Sequence, residues 1–142
     1  MNNHPRSLAA EFHGAWQNPD RDSLIKLLHA HTILYQPHLK PIKGMESAYK
    51  EFKLFLKWVP HFKGEVISSS SEGNLLFIEW FMYFRFKNGH PLRVRAVDKI
   101  IVENGLIKER SVYFNTLPVI LYILKRPWLW YGYLRYRRAL RK

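Results

Sequence analysis

Residues 95–115, RAVDKIIVENGLIKERSVYFN, alternate apolar and polar side chains on both sides of an Asn104-Gly105 pair. An Asn-Gly pair between two alternating segments is the pattern of a two-residue β-hairpin, so we expect two antiparallel strands here. Asp98 lies in the middle of the first strand. Because a carboxylate buried without a partner is strongly unfavourable, Asp98 is expected on a solvated face or in a site built to hold it.

The rest of the chain shows helical periodicity before Pro60 and strand periodicity after it. Three helices are expected: over 7–16, from Asp22 or Ser23 to a point before Pro37, and over 45–59. Four strands are expected over 62–73, 74–87, 91–103 and 106–115, with a second two-residue turn at Asn88-Gly89. This order predicts an α+β fold with three N-terminal helices on one face of an antiparallel sheet.

Two-residue turns also predict strand register, since they determine which residues lie opposite each other. Asp98 is then expected opposite Glu79 on one side and Ser111 on the other, unless a β-bulge exchanges the faces. The predicted pocket face carries Phe77, Glu79, Phe81, Tyr83, Val94, Ala96, Asp98, Ile100, Glu109, Ser111, Tyr113 and Asn115. The opposite face carries a row of apolar and aromatic side chains that suggests a homodimer contact. This row is formed by Leu76, Ile78, Trp80, Met82 and Phe84.

The composition predicts one domain and excludes several kinds of site. The chain has 142 residues, of which 47% are hydrophobic, and this suffices for one substantial core. The absence of cysteine excludes disulfides, thiolate nucleophiles and cysteine-type zinc sites. His29 and His31 are two apart in a segment expected to be helical, so no metal site is expected. Glu11 and His13 interrupt the apolar residues near the N-terminus, so we expect a cytoplasmic protein.

Residues 116–142 form a basic, aromatic tail that is expected to be helical. The net charge is +12, and seven of the basic residues and no acid lie in 125–142. The apolar run 117–124 is far shorter than the ~20 residues that a membrane-spanning helix needs. Residues 117–142 are therefore expected on an anionic membrane surface, over the mouth of a pocket or against a second subunit. Stacking on nucleic acid is the alternative that they favour least.

Several short motifs resemble the nuclear transport factor 2-like superfamily and, within it, the SnoaL-like polyketide cyclase subgroup. They are YQP at 35–37, GMESAYKEF at 44–52, and Asp98 followed by an apolar strand, NGLI at 104–107 and VYFN at 112–115. The resemblance implies a cone-shaped fold, in which three helices and a curved antiparallel sheet surround a deep apolar pocket. It thus implies a cone domain over 1–115, followed by the tail over 116–142.

The superfamily includes ketosteroid isomerases, dehydratases, epoxide hydrolases, polyketide cyclases and proteins without catalysis. Asp98 matches a strand position where enzymatic members often keep a pocket carboxylate, which implies a general acid or base that needs no cofactor. Many relatives have Asp at the position of Asn115, so a second acid of that kind is absent here.

In the predicted register Glu79 and Asp98 would repel each other in an apolar cavity, so they are expected to share a proton. Alternatively, Arg85 or a histidine neutralises the pair and makes it a structural network. The residues expected to bind a ligand are Trp16, His31, Tyr35, Phe81, Tyr83, Glu109, Ser111, Tyr113 and Asn115, although Trp16 and Tyr35 could belong to the core. Two functions follow: a small isomerase, cyclase or dehydratase, or a non-catalytic protein that binds an apolar molecule and docks on a membrane.

Overall fold

The computed structural model describes residues 5–37, 39–86 and 91–141. Its helices are α1 (Pro5–Gln17), α2 (Arg21–Ile25), α3 (Met45–Trp58), α4 (Leu117–Leu124) and α5 (Pro127–Arg141). Its strands are β1 (Leu28–Tyr35), β2 (Ile42–Lys43), β3 (Lys63–Glu72), β4 (Leu75–Phe84), β5 (Leu92–Glu103) and β6 (Leu106–Phe114). The predicted α+β fold class is confirmed, as are α1, α3, the four long strands and a helical tail.

The strands form one curved sheet in the order β2-β1-β6-β5-β4-β3. The strands β3 to β6 form the predicted antiparallel meander, each paired with the next along the chain. The strand β1 joins the sheet parallel to β6. Helix α1 packs on β3 and β4, and α3 packs on β1 and α5, so one face of the sheet and the helices enclose the core.

The predicted second helix is wrong beyond Ile25. Helix α2 has only five residues and is capped by Asp20, whose Oδ1 accepts a hydrogen bond of 2.9 Å from the Ser23 N–H. The following segment is the strand β1. Its pairing with β6, and the 2.8 Å hydrogen bond from the Thr32 hydroxyl to the Ile107 carbonyl, outweigh the local helical spacing of the leucines.

A β-bulge displaces the predicted register between β5 and β6. The turn itself is as predicted, since both residues of Asn104-Gly105 have positive φ, 55° and 75°, as a type I′ turn requires. The strand β6 then contains one extra residue, Lys108, at a shift in the pairing. Asp98 therefore lies opposite Val112 and not opposite Ser111.

The register between β4 and β5 is also displaced, so Asp98 lies opposite Ile78 and not opposite Glu79. The Asn88-Gly89 turn on which that prediction depended lies outside the described residues. Because side chains alternate across a strand, the two displacements exchange the faces of β4 and β6, while β5 keeps its predicted face. The pocket face predicted for β4 and β6 is therefore the outer face of the sheet.

This row of apolar and aromatic side chains on β4 lies in the core. Trp80 is 1% exposed and meets Phe12 of α1 edge to face, with ring centroids 5.1 Å apart. All five members of the row are buried, namely Leu76, Ile78, Trp80, Met82 and Phe84. The predicted location of the dimer contact is therefore wrong, and a homodimer stays a prediction without this support.

Helix α5 folds back over α3, and α4 packs against α5 and β5. Tyr136 of α5 is buried and stacks on Trp58 of α3, with ring centroids 5.0 Å apart. The Trp130 indole N–H donates a hydrogen bond of 2.8 Å to the Ile123 carbonyl, which joins α5 to α4. Within the described part of the chain, no helix is long and apolar enough to cross a membrane.

Candidate ligand cavity with two buried acids

A cavity of about 560 Å³ lies between the buried face of the sheet, α3 and the two C-terminal helices. Its wall is largely aromatic and includes Trp16, Phe52, Phe55, Phe62, Trp80 and Phe84. Ile123, Tyr133 and Leu134 complete the wall on the side of α4 and α5. The volume is within the range that proteins use for drug-sized ligands.

Glu51 brings a carboxyl group to this wall from the apolar stripe of α3, where it is 2% exposed. The Tyr136 hydroxyl donates a hydrogen bond of 3.0 Å to Oε1, while Oε2 has no hydrogen-bond partner among the described residues. Burial raises the pKa of Glu51 to about 7. Hydrogen bonding from the Tyr136 hydroxyl, the Arg110 charge and, least of the three, hydrogen bonding from the Gln36 side chain each lower this pKa. Near neutral pH the carboxyl is therefore divided between its acid and base forms.

Asp98 is fully buried, and both of its oxygens have partners. The Trp80 indole N–H donates to Oδ1 at 2.9 Å, and Arg110 Nε donates to Oδ2. Burial raises the pKa of the Asp98 carboxyl, and the Arg110 charge and the two hydrogen bonds offset part of that rise. Of these three residues, Trp80 and Arg110 line the cavity and Asp98 does not. Asp98 thus holds the two side chains that separate it from the cavity.

Arg110 is 4% exposed and lies in an aromatic cage. Its guanidinium carbon is 5.3 Å from the centroid of the Phe12 ring, 5.5 Å from Trp16 and 5.8 Å from Trp80, which are cation–π distances. The same charge lowers the pKa of Glu51. Arg110 therefore couples the two buried acids, one through a direct ion pair and the other through the electric field in the cavity.

Trp58 supplies a second polar atom without a partner. Its indole N–H is buried, and it finds no acceptor within the described ranges. Trp58 and Glu51 both line the cavity and lie seven residues apart on α3, which places them on the same side of the helix about 10 Å apart along its axis. The residues that line the cavity therefore include one buried carboxyl oxygen and one buried indole N–H that have no partner among the described residues.

Glu79, predicted as the partner of Asp98, lies on the outer face of the sheet. There it is 3.6 Å from Arg95 Nε and accepts a hydrogen bond of 3.1 Å from the Ser68 hydroxyl. It pairs across the sheet with Val97. The prediction of a proton-sharing pair formed by Glu79 and Asp98 is therefore wrong.

Of the residues predicted to bind a ligand, Trp16 lines the cavity. The outer face of the sheet carries Phe81, Tyr83, Glu109, Ser111 and Tyr113. His31 and Tyr35 are exposed on β1, because this segment is a strand and not a helix. Asn115 is exposed beyond β6, where its side-chain oxygen accepts a hydrogen bond of 3.1 Å from the Leu117 N–H at the start of α4. Apart from Trp16, none of the nine residues predicted to bind a ligand is among the described residues that line the cavity.

The sequence profile of the SnoaL-like domain family matches residues 9–110, which is more than two thirds of the chain. The chain belongs to this family. No curated protein sequence matches it.

Three solved structures show the same fold as this SnoaL-like chain. A provisionally assigned SnoaL-like polyketide cyclase from Jannaschia sp. CCS1 has a TM-score of 0.72 at 14% identity, covering 82% of this chain and 88% of that one. A hypothetical protein with a ketosteroid isomerase-like fold from Catenulispora acidiphila, solved with trimethylamine, has a TM-score of 0.73 at 14% identity, covering 80% and 89%. A provisionally assigned hydroxylase from Streptomyces galilaeus has a TM-score of 0.72 at 18% identity, covering 87% and 82%. At these identities the likeness shows the fold alone.

The sequence interpretation missed four polar residues of this SnoaL-like cavity: Glu51, Trp58, Arg110 and Tyr136. Glu51 carried a readable signal, since an acid on the apolar stripe of an amphipathic helix needs an explanation. Arg110 carried none, because the bulge at Lys108 brings it to the buried face. Tyr136 and Trp58 meet each other through long-range packing of the tail, which local spacing does not reveal.

Proposed function

We propose that this SnoaL-like domain binds a small apolar molecule that carries a carbonyl group, and that Glu51 moves a proton at the carbon beside that carbonyl. The observation that carries the proposal is the buried carboxyl of Glu51, a residue of the cavity wall whose Oε2 has no hydrogen-bond partner among the described residues. A carboxyl with a pKa of about 7 can accept a proton in one step and return it in the next. Such a reaction needs no cofactor.

Arg110 has a role in this proposal through its charge. Abstraction of a proton beside a carbonyl places negative charge on the carbonyl oxygen, and a fixed cation in a dry site stabilises that charge strongly. Arg110 lines the cavity, and it binds Asp98 through Nε. Asp98, the residue predicted to be the general acid or base, would then position Arg110 and would not touch the substrate.

Trp58 would orient the other end of the ligand. An unpaired N–H in an apolar cavity is unfavourable until an acceptor arrives, so a ligand with a second polar oxygen is favoured over a plain hydrocarbon.

Non-catalytic binding in the same cavity is the second candidate. The hydrogen bond between Tyr136 and Glu51 favours it, because this bond joins α5 to α3 and gives Glu51 a structural use. In that case the cavity would store or carry the apolar molecule unchanged.

The first experiment is native mass spectrometry of the freshly purified protein, to identify an adduct that is lost on denaturation. Polycyclic ketones with two oxygens are then added as probes. For each ketone that binds, incorporation of deuterium beside the carbonyl is followed in D₂O by NMR. This readout detects proton transfer without knowledge of the complete reaction.

The variant Glu51→Gln tests the role of the carboxyl, with Glu79→Gln on the outer face as the matched control. Glu51→Gln is expected to bind the ketone and to exchange at least ~100-fold more slowly, the usual share of general acid–base catalysis. Wild-type exchange should rise with pH through about 7 and then level, since the base form of Glu51 is the active one. Equal exchange by Glu51→Gln and wild type would refute proton transfer by Glu51, and binding without any exchange would support the non-catalytic candidate.

A further inference from the structure

The helices α4 and α5 expose a set of large apolar side chains, here called the tail face. It consists of Leu117, Leu121, Leu124, Trp128, Tyr131 and Leu134, which are between 42% and 69% exposed. On α4 the leucines follow helical spacing, so they lie on one side of that helix. Single exposed apolar residues are ordinary on a protein surface, but six large ones on two consecutive helices point to an interaction site.

The tail face is bordered by positive charge without compensating acids. Residues 125–142 contain seven basic residues and no acid. Arg138 and Arg141 are exposed on the last two turns of α5, and neither forms an ion pair within the part of the chain that the structure describes. A partner with a negative surface is therefore favoured.

The cavity reaches the surface at the tail face. Leu124 and Leu134 belong to that face and also line the cavity. The neighbouring exposed residues Ile120 and Trp130 line the cavity as well. These four side chains are between 41% and 63% exposed, so the mouth of the cavity is bordered by apolar side chains. An apolar ligand that leaves the cavity through this mouth would enter whatever surface is in contact with the tail face.

We propose that the tail face docks on a lipid bilayer containing anionic lipids, with α4 and α5 lying in the plane of the interface and the cavity mouth turned toward the lipid. Apolar and aromatic side chains on one side of short helices, with arginines beside them, fit the boundary between acyl chains and anionic headgroups. The proposal does not depend on whether Glu51 is catalytic.

Two other occupants fit the tail face less well. Single-stranded RNA would need aromatic rings for base stacking, but four of the six residues of the face are leucines. A second copy of the chain would bring two sets of arginines together, and like charges oppose such a contact.

The test is sedimentation of the full chain with vesicles of phosphatidylcholine alone or with added phosphatidylserine, at low and high salt. Binding is expected to vesicles with phosphatidylserine, to weaken with salt, and to be much smaller for phosphatidylcholine alone. The tail is not deleted, because its helices complete the cavity wall.

Two double variants separate the apolar and the charged parts of the tail face. Leu121→Ser with Trp128→Ser is expected to weaken binding to anionic vesicles at least ~10-fold, because both side chains lose their burial in the lipid. Its matched control is Phe77→Ser with Val97→Ser on the outer face of the sheet, where the exposure is 39% and 38%.

Arg138→Gln with Arg141→Gln is expected to weaken binding by about fivefold for each charge removed. Its control is Lys53→Gln with Lys57→Gln, two exposed charges on α3. Circular dichroism checks that each variant is folded.

The proposal is overturned if the wild type does not sediment with anionic vesicles, or if the tail variants bind as well as their controls. Binding of a single-stranded RNA oligonucleotide without vesicle binding would assign the tail face to nucleic acid. A dimer that becomes monomeric in the Leu121→Ser, Trp128→Ser variant, again without vesicle binding, would assign it to a second copy of the chain.

Discussion

The two buried acids of this SnoaL-like domain differ in the number of their partners. Asp98 lies within the sheet, where Trp80 and Arg110 occupy both of its oxygens. Glu51 lies on a helix against the cavity, where Tyr136 occupies one oxygen and the other is free among the described residues. Burial raises the pKa of both groups. The same physical cause thus acts on a carboxyl whose oxygens are both occupied and on one that keeps an oxygen without a partner.

Asp98→Asn is expected to produce the largest effect, a loss of about 3–5 kcal/mol in the free energy of unfolding. The asparagine amide cannot neutralise Arg110, so a charged side chain that is 4% exposed would lose its partner. Urea unfolding at pH 7 measures the loss.

The double variant Asp98→Asn, Arg110→Met serves as the control. Removal of both charges is expected to be less damaging than removal of Asp98 alone, because no unpaired charge stays buried. Equal losses in the two variants would contradict the description of Asp98 and Arg110 as a coupled pair.

Glu51→Gln is expected to change stability in the opposite direction, by about 3 kcal/mol above pH 7. The pKa of Glu51 is about 7 in the folded protein and 4.5 for an ordinary glutamate. The stability that its protonated form contributes is therefore fully present below pH 4.5 and is lost as the pH rises through 7. The variant lacks this titration, so it should match the wild type near pH 4 and exceed it at pH 8.

Urea unfolding of the variant and the wild type across this pH range measures the difference. Glu79→Gln, on the outer face, serves as the matched control for the loss of one carboxyl group. A constant difference between Glu51→Gln and wild type at all pH values would show that Glu51 titrates normally.

Tyr136→Phe is expected to have the smallest effect, about 1 kcal/mol at pH 8. It removes the hydrogen bond that lowers the pKa of Glu51, so this pKa should rise above its wild-type value. An NMR titration of the glutamate side-chain carboxyl measures the shift. A pKa that stays the same or falls would mean that another group, outside the described contacts, holds Oε1.

The strands after Pro60 were predictable because alternation over ten or more residues leaves few other structures open. The strand β1 was not, since its leucines fit a helix until pairing with β6 is considered. The position of Asp98 opposite Val112 was not predictable either, because Lys108 looks like any other polar strand residue. Glu51 could have been found from the apolar stripe of α3 alone.

The bulge in β6 absorbs one residue of extra length in this strand. Replacement of Lys108 leaves every later side chain on its present face. Its deletion would do the same, because Ile107 and Glu109 would then continue the alternation opposite Val102 and Ile101, and Arg110 would stay beside Asp98. A strand that kept Lys108 but lost the bulge would instead turn Glu109, Ser111 and Tyr113 inward and carry Arg110 outward, which would leave Asp98 buried alone. Evolution of this hairpin is therefore expected to accept both substitution and loss of the residue at position 108, so relatives have to be aligned here by their gaps before their residues are compared.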